Sequence, residues 1–162
     1  MIIFLSLGTN IGNRVQNLNK AISLISSQKD ITITLKSKIY ETSPMEFLDQ
    51  DFFLNQVIKL DSNLQSHDLL KITQEIEIKL GRLEKKRKYM PRIIDIDILS
   101  YGDLIIRNKN LFIPHPKIKS RKFILKPWSD IAPDYILPNS KISIKELLEC
   151  VLHLKDKVKE YK

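Results

Sequence analysis

Two carboxylates sit where a strand should be apolar. The run Pro91-Arg92-Ile93-Ile94-Asp95-Ile96-Asp97-Ile98-Leu99 has isoleucine at 94, 96 and 98, the pattern of a strand with one buried face. Asp95 and Asp97 therefore share the opposite face. Aspartate is disfavoured in strands, and two carboxylates about 7 Å apart along one face repel each other. Any fold this chain adopts must present that face to something that compensates it. One divalent cation, or two, would do so, because hard cations take carboxylate oxygens and complete their shell with water and substrate phosphates. Arg92, three residues before Asp95, carries the planar fork that clamps phosphate. The run points to a Mg²⁺–nucleotide site. A half-exposed edge strand with a charged solvent face is the alternative that the run alone leaves open.

The rest of the chain supplies a frame for that strand. Residues 2–7 read as a first strand, and Gly8-Thr9-Asn10-Ile11-Gly12-Asn13-Arg14 as a tight turn. A helix is predicted from Val15 to Ser26, with Leu18, Ala21, Ile22 and Ile25 at helical spacing. Alternation predicts strands from Ile31 to Tyr40 and from Phe52 to Leu60, joined by a polar loop containing Pro44. A long helix is expected from Asp68 to Leu80, with Ser66 or His67 near its N-cap and Gly81 as its stop. Leu69, Leu70, Ile72, Ile76 and Leu80 give it a core face. Beyond the Asp strand come short hairpin strands within 104–113, a rigid Pro114-His115-Pro116 turn, a helix from Arg121 to Ile131 interrupted by Pro127, and a last helix from Ile144 to Leu152. The β-α-β-β-α-β order predicts an α+β, ferredoxin-like sandwich: a largely antiparallel sheet with helices packed on its faces, those of the repeat unit on one of them.

At 162 residues the chain reads as one domain, 1–162, with room for a real core. Cys150 is the single cysteine, so no intramolecular disulfide forms and a reducing cytoplasm fits best; its position in the last helix suggests a small buried apolar residue. The apolar start is short and has no basic stretch before it, so it reads as a strand and not a signal peptide. No run approaches the length of a membrane span. A formal charge of +8 allows nucleic acid, anionic membrane or phosphate-bearing partners. The densest basic cluster, Lys85-Lys86-Arg87-Lys88, lies just before the Asp pair and suits a polyphosphate. The lysines from Lys155 to Lys162 read as a solvated tail.

Other residues carry weaker signals. Gln74 and Glu77 lie one helical turn apart, off the apolar face of the long helix. Arg82 follows the helix stop, where a cation also suits the helix dipole. His115 is held between prolines, Tyr89 can stack from the basic loop, and Phe53 with Asn55 offers an aromatic ring and an amide on one strand face.

Taken in order, these segments resemble the 6-hydroxymethyl-7,8-dihydropterin pyrophosphokinase family. The resemblance is carried by Leu7 to Arg14, Tyr40-Glu41-Thr42-Ser43-Pro44, Phe53-Leu54-Asn55, Gln74 to Glu77, Gly81-Arg82, the 91–99 run, Pro114-His115-Pro116 and Arg121-Lys122-Phe123. It implies a ferredoxin-like fold and transfer of pyrophosphate from ATP to a pterin alcohol, with AMP leaving. It further implies that Asp95 and Asp97 bind two Mg²⁺ ions that bridge the ATP phosphates, while Arg82 and Arg92 hold the phosphates and offset transition-state charge. By the same resemblance Gln74, Glu77, Ile98, His115, Arg121 and the backbone near Leu111 contact the nucleotide. Thr42, Ser43, Met45, Phe53, Asn55 and Phe123 form the pterin pocket, and Tyr89 stands in a closing loop where the family usually has Trp. The chain departs from the family pattern at Glu46, Glu84 and Met90. The expected partners are ATP and the pterin, without nucleic acid or membrane, and the expected state is a monomer.

Two other functions compete. A nucleic-acid-binding ferredoxin-like module would use the basic charge, but the chain lacks the aromatic sheet motif of such domains and would leave Asp95 and Asp97 unexplained. A metal-dependent phosphodiesterase would use the Asp pair, but its usual extra ligands are missing, with His67, His115 and His153 scattered along the chain.

Overall fold

A computed structural model describes residues 1–44, 50–82 and 91–162. The elements run β1 (Ile2–Thr9), α1 (Arg14–Ser26), β2 (Ile31–Lys36), β3 (Tyr40–Thr42), β4 (Phe53–Ser62), α2 (Ser66–Lys79), β5 (Asp95–Tyr101), β6 (Ile106–Arg107), β7 (Phe112–Ile113), α3 (Lys122–Ile131), α4 (Ile144–Cys150) and β8 (Val158–Glu160). The main sheet is antiparallel in order β5-β1-β4-β3-β8, with β2 also pairing β4. This is the expected ferredoxin-like α+β arrangement. β1 lies inside the sheet between β5 and β4, with Ile3, Leu5 and Leu7 facing one core layer and Phe4 the other. α1 and α2 cover the first layer and α3 and α4 the second, so helices pack on both faces.

Several boundaries differ from the sequence reading, each for a local reason. The strand expected over 31–40 is broken at Ser37. The Ser37 hydroxyl accepts the Val57 N–H at 3.0 Å and its carbonyl accepts Gln56 Nε2 at 2.7 Å, so side chains replace ladder bonds there. β1 reaches Thr9, taking Gly8 out of the expected turn and into the sheet. α2 starts at Ser66, two residues before the expected Asp68, with Gln65 as its N-cap and no side-chain cap bond. α3 runs through Pro127 without a break. Pro127 and Trp128 are buried, and packing outweighs the one backbone bond that proline removes. α4 ends at Cys150, whose side chain is exposed and not buried. The lysine-rich end is not all solvated tail: residues 158–160 form β8 on the β3 edge. Among the described residues no helix is long and apolar enough to cross a membrane.

The second core layer is built on an aromatic cluster. Phe4 lies 5.0 Å from Trp128 and 4.9 Å from Tyr135, centroid to centroid. Phe4→Ala is expected to cost about 3–5 kcal/mol of stability, read from urea unfolding followed by the fluorescence of Trp128, the single tryptophan.

Candidate active site

β5 is an edge strand of the sheet, and its sequence decides what both of its faces do. Ile94, Ile96 and Ile98 are buried in the first core layer, and alternation leaves Asp95 and Asp97 on the opposite face. The register sets Asp95 opposite Gly8 and Asp97 opposite Ser6 on β1. On its other side Gly8 lies opposite Asn55 of β4. A Cβ at Gly8 would come within 2.9 Å of Asn55 Oδ1, so only glycine lets the amide and the carboxylate approach across the sheet.

Each carboxylate has its own environment. Asp95 Oδ1 takes Arg82 Nη1 at 2.6 Å, and its Oδ2 pairs with Arg92. Burial raises its carboxyl, but the two guanidinium groups outweigh it and hold the group below the usual carboxylate range. Asp97 is pushed up to about 6, first by burial and then by the neighbouring Asp95 charge. Arg121 Nη1 stands 3.9 Å from its Oδ2, long for an ion pair.

Arg82 is placed by a helix end. Gly81, with φ of 98°, lets the Gly81 N–H reach the Ile78 carbonyl and the Arg82 N–H reach the Glu77 carbonyl, both at 2.9 Å. This is the doubly bonded glycine turn that closes many helices. Glu77, 7% exposed, completes the arrangement. Its Oε1 accepts the outward Ile96 N–H of the edge strand at 2.7 Å and pairs with Arg82. Burial pushes the Glu77 carboxyl up to about 7, against the pull of Arg82. Helix periodicity alone placed Glu77 among exposed polar residues; nothing in that pattern shows an unpaired strand N–H waiting beside it.

Arg92 is anchored by Asn10, which is 2% exposed. The Asn10 N–H donates to the Arg92 carbonyl at 3.1 Å, Asn10 Oδ1 accepts the Arg92 N–H at 2.8 Å, and Asn10 Nδ2 donates to Gln50 Oε1 at 3.0 Å. The asparagine of the glycine turn thus ties the approach to the Asp strand to the segment before β4. Sequence reading took that turn as a bend only.

Asp95, Asp97, Arg92 and Arg121 border a cleft of about 340 Å³, with Arg82 and Glu77 behind its wall and not in its lining. Across the sheet from Asp95, Asp97 and Arg92 at its β5 end, it is lined by Thr42, Ser43, Pro44, Phe53 and Asn55 at its β3–β4 end; Lys117, Arg121 and Phe123 also line it, with the Arg121 guanidinium 5.5 Å from the Phe123 ring. At the second end Asn55 Nδ2 donates to Thr42 Oγ1 at 2.7 Å, with both residues buried. The rings of Phe53 and Phe123, both partly exposed, line the same cleft. Gln50, Lys117, Ser6 and Ser120 also line the cleft and were not singled out from sequence. Lys117 had a readable signal, a cation two residues from His115.

The remaining candidates lie elsewhere. Gln74 is exposed on α2. Ile98 and Leu111 are buried in the first core layer, and both backbone polar groups of Leu111 bond Asn108. His115 is positioned by its N–H to the Leu99 carbonyl at 2.9 Å, while its Nδ1 accepts the Lys117 N–H. Met45, Glu46, Glu84, Tyr89, Met90 and the 85–88 basic cluster lie outside the described residues.

The donor set fits a hard divalent cation held jointly with a ligand. Two carboxylates share one face, and among the described residues no group of three or more His, Cys, Asp or Glu side chains forms a closed cage. Mg²⁺ suits such a site, since it commonly takes one or two carboxylates and fills its shell with water and phosphate oxygens.

His115 gives a pH test. Burial, aided by Arg121, pushes its imidazole down to about 4. Between about pH 6.5 and 4 the unfolded chain binds a proton that the native ring refuses, so stability falls as the solution is acidified through that window. His115→Asn keeps an acceptor for Lys117 and removes this component. Its urea midpoint is expected to fall less steeply over that range than that of the parent; equal slopes would contradict the assignment.

Residues 4–133 match the family model of 7,8-dihydro-6-hydroxymethylpterin-pyrophosphokinase (HPPK). The chain is 37% identical over 134 residues to the 2-amino-4-hydroxy-6-hydroxymethyldihydropteridine pyrophosphokinase of Methylorubrum extorquens, covering 83% of this chain and 84% of that one. It is 38% identical over 130 residues to the enzyme of the same name from Bacillus subtilis, covering 80% and 77%. The folic acid synthesis protein FOL1 of Dictyostelium discoideum is 41% identical over 146 residues, but the chain spans only 22% of its length. The fold also matches the crystal structure of Plasmodium falciparum HPPK-DHPS wild type, with a TM-score of 0.73 and 20% identity over 92% of this chain and 43% of that one.

Proposed function

The chain belongs to the 7,8-dihydro-6-hydroxymethylpterin-pyrophosphokinase family, and from that premise we propose that it transfers pyrophosphate from ATP to 6-hydroxymethyl-7,8-dihydropterin, releasing AMP. The observation that carries this reading is that one cleft joins two chemically distinct ends. Its carboxylate and guanidinium end suits a metal-bound triphosphate, and its amide and phenylalanine end suits a flat heterocycle rich in hydrogen-bonding groups.

In this reading Asn55 and Thr42 present fixed polar atoms to the pterin edge, and Phe53 and Phe123 enclose its faces. Arg92, Arg121 and Lys117 border the path of the phosphates. Arg82, locked on Glu77 and Asp95, adds positive charge close by. Asp95 and Asp97 would hold two Mg²⁺ ions, which when bound would offset the charge on the attacking and leaving oxygens. The pterin hydroxymethyl oxygen bonds to the β-phosphorus as the bond to the α-phosphate oxygen breaks; the hydroxyl proton passes to solvent and AMP departs. No described residue stands out as a general base, so the work of the protein is positioning and electrostatics. We take the chain to act as a monomer in the cytoplasm on these two small molecules, without nucleic acid.

The test is AMP release from ATP and Mg²⁺ with and without the pterin. AMP that depends on the pterin supports the reading; AMP without pterin, or none from folded protein, removes it. Chelating Mg²⁺ is expected to stop release and its return to restore it. Asp97→Asn, nearly equal in shape, is expected to lose about 10²–10³-fold in kcat, and near-normal turnover would remove Asp97 from the metal site. Cleavage of a phosphodiester without pterin would favour the phosphodiesterase reading.

A further inference from the structure

β8 lies beyond the stretch matched to the family, yet it touches the heterocycle end of the cleft. β3, which carries Thr42 and leads into Ser43, is only three residues long. β4 covers one edge of it and β8 the other, with Thr42 opposite Phe53 on one side and Val158 on the other. The contact continues past the strand. The Ser43 N–H donates to the Lys157 carbonyl at 3.1 Å, and the Lys157 N–H donates to Ser43 Oγ at 3.1 Å. The Tyr161 N–H closes the far end on the Ile39 carbonyl at 2.9 Å.

The same segment is tied to the opposite wall. Lys122, between Arg121 and Phe123 of the cleft, sends its Nζ to the carbonyls of Leu154 and Asp156 at 3.5 and 3.4 Å. Residues 154–161 therefore join the Thr42–Ser43 lip to the start of α3. Ser43 is fixed in a second sense. Its oxygen receives the Lys157 N–H, so the hydroxyl proton stays available to another acceptor.

We propose that this C-terminal segment is a positioning element for the pterin: it sets the spacing between the Ser43 lip and Phe123, and it orients the Ser43 hydroxyl as a donor to the heterocycle. The proposal rests on the pterin reading of the cleft. The role belongs to backbone atoms of Lys157 and Lys159 and is indifferent to their side chains. β8 pairs with β3, and the segment around it bonds Ser43 and Lys122, all at the heterocycle end of the cleft.

Two proline variants of the full chain separate the parts. Lys157→Pro removes the one N–H that reaches Ser43 Oγ and keeps the Lys157 carbonyl. Lys159→Pro breaks the ladder, because the Glu41–Lys159 pair lies between the bonded 43–157 and 39–161 pairs and antiparallel bonding alternates. Pterin binding is read from the dissociation constant, measured directly by calorimetry with a non-hydrolysable ATP analogue, and both KM values are read from AMP release. Each variant is expected to weaken pterin binding about fivefold to tenfold, the scale of one lost hydrogen bond. The KM for ATP should stay within about twofold, and Ser43→Ala should add little further loss in the Lys157→Pro background. Unchanged pterin binding in folded Lys157→Pro, equal weakening of both substrates, or additive losses would overturn the proposal. A parent chain that binds no pterin would instead remove the functional reading on which it rests. If Lys159→Pro does not fold, the Lys157→Pro result decides alone.

Discussion

The repulsion between Asp95 and Asp97 is the constraint around which this end of the molecule is organised. Two carboxylates on one face of an edge strand would destabilise β5 unless charge and hydrogen bonds reached them from elsewhere. They arrive from three directions. The glycine turn at the end of α2 delivers Arg82, the Asn10 anchor fixes the chain at Arg92, and Arg121 stands at the start of α3. Glu77 joins the first of these to the strand itself, accepting the Ile96 N–H that no neighbouring strand can take. Removing any one connection leaves a buried charge or an unmet polar group, which costs more than the connection contributes when whole.

The sheet fixes how far apart the two halves of the cleft stand. Gly8 has Asp95 on one side and Asn55 on the other, so the carboxylates and the amide floor are two strand spacings apart, roughly 9–10 Å. That separation lies in the ladder and not in a loop. A one-residue slip of β5 would turn both aspartates into the core and its isoleucines into the cleft. Alternating isoleucines thus specify the register, and the register specifies the site.

The alternation was also what made the site legible in sequence. Ile94, Ile96 and Ile98 showed which face the aspartates occupy, and Gly81 showed where α2 would stop. What stayed hidden depended on partners distant in the chain. Helical spacing could not reveal that Glu77 is buried, because its partner is a backbone N–H of another element. Asn10 looked like a turn residue because its three side-chain bonds run to positions 40 to 82 residues away. β8 was read as solvated lysines because its formation depends on an unpaired β3 edge and not on its own pattern, with Glu41 as short of a signal as Lys159. Trp128 and Pro127 show the reverse case, in which deep burial overrides a breaker that sequence reads as an interruption.

Charge balance gives the reason that the proposed reading of this site includes added cations. The chain carries +8 overall, yet around β5 the three carboxylates of Glu77, Asp95 and Asp97 already engage much of the positive charge of Arg82, Arg92 and Arg121. Lys117 adds one more cation to the cleft wall. This nearly neutral cluster offers little net attraction to a triphosphate, whose own carboxylate neighbours would repel it. A divalent cation held by Asp97 would reverse that sign and relieve the burial and like charge that raise the Asp97 carboxyl to about 6. In the proposed reading the aspartates would make phosphate binding conditional on metal, while the arginines offset the charge on the same strand.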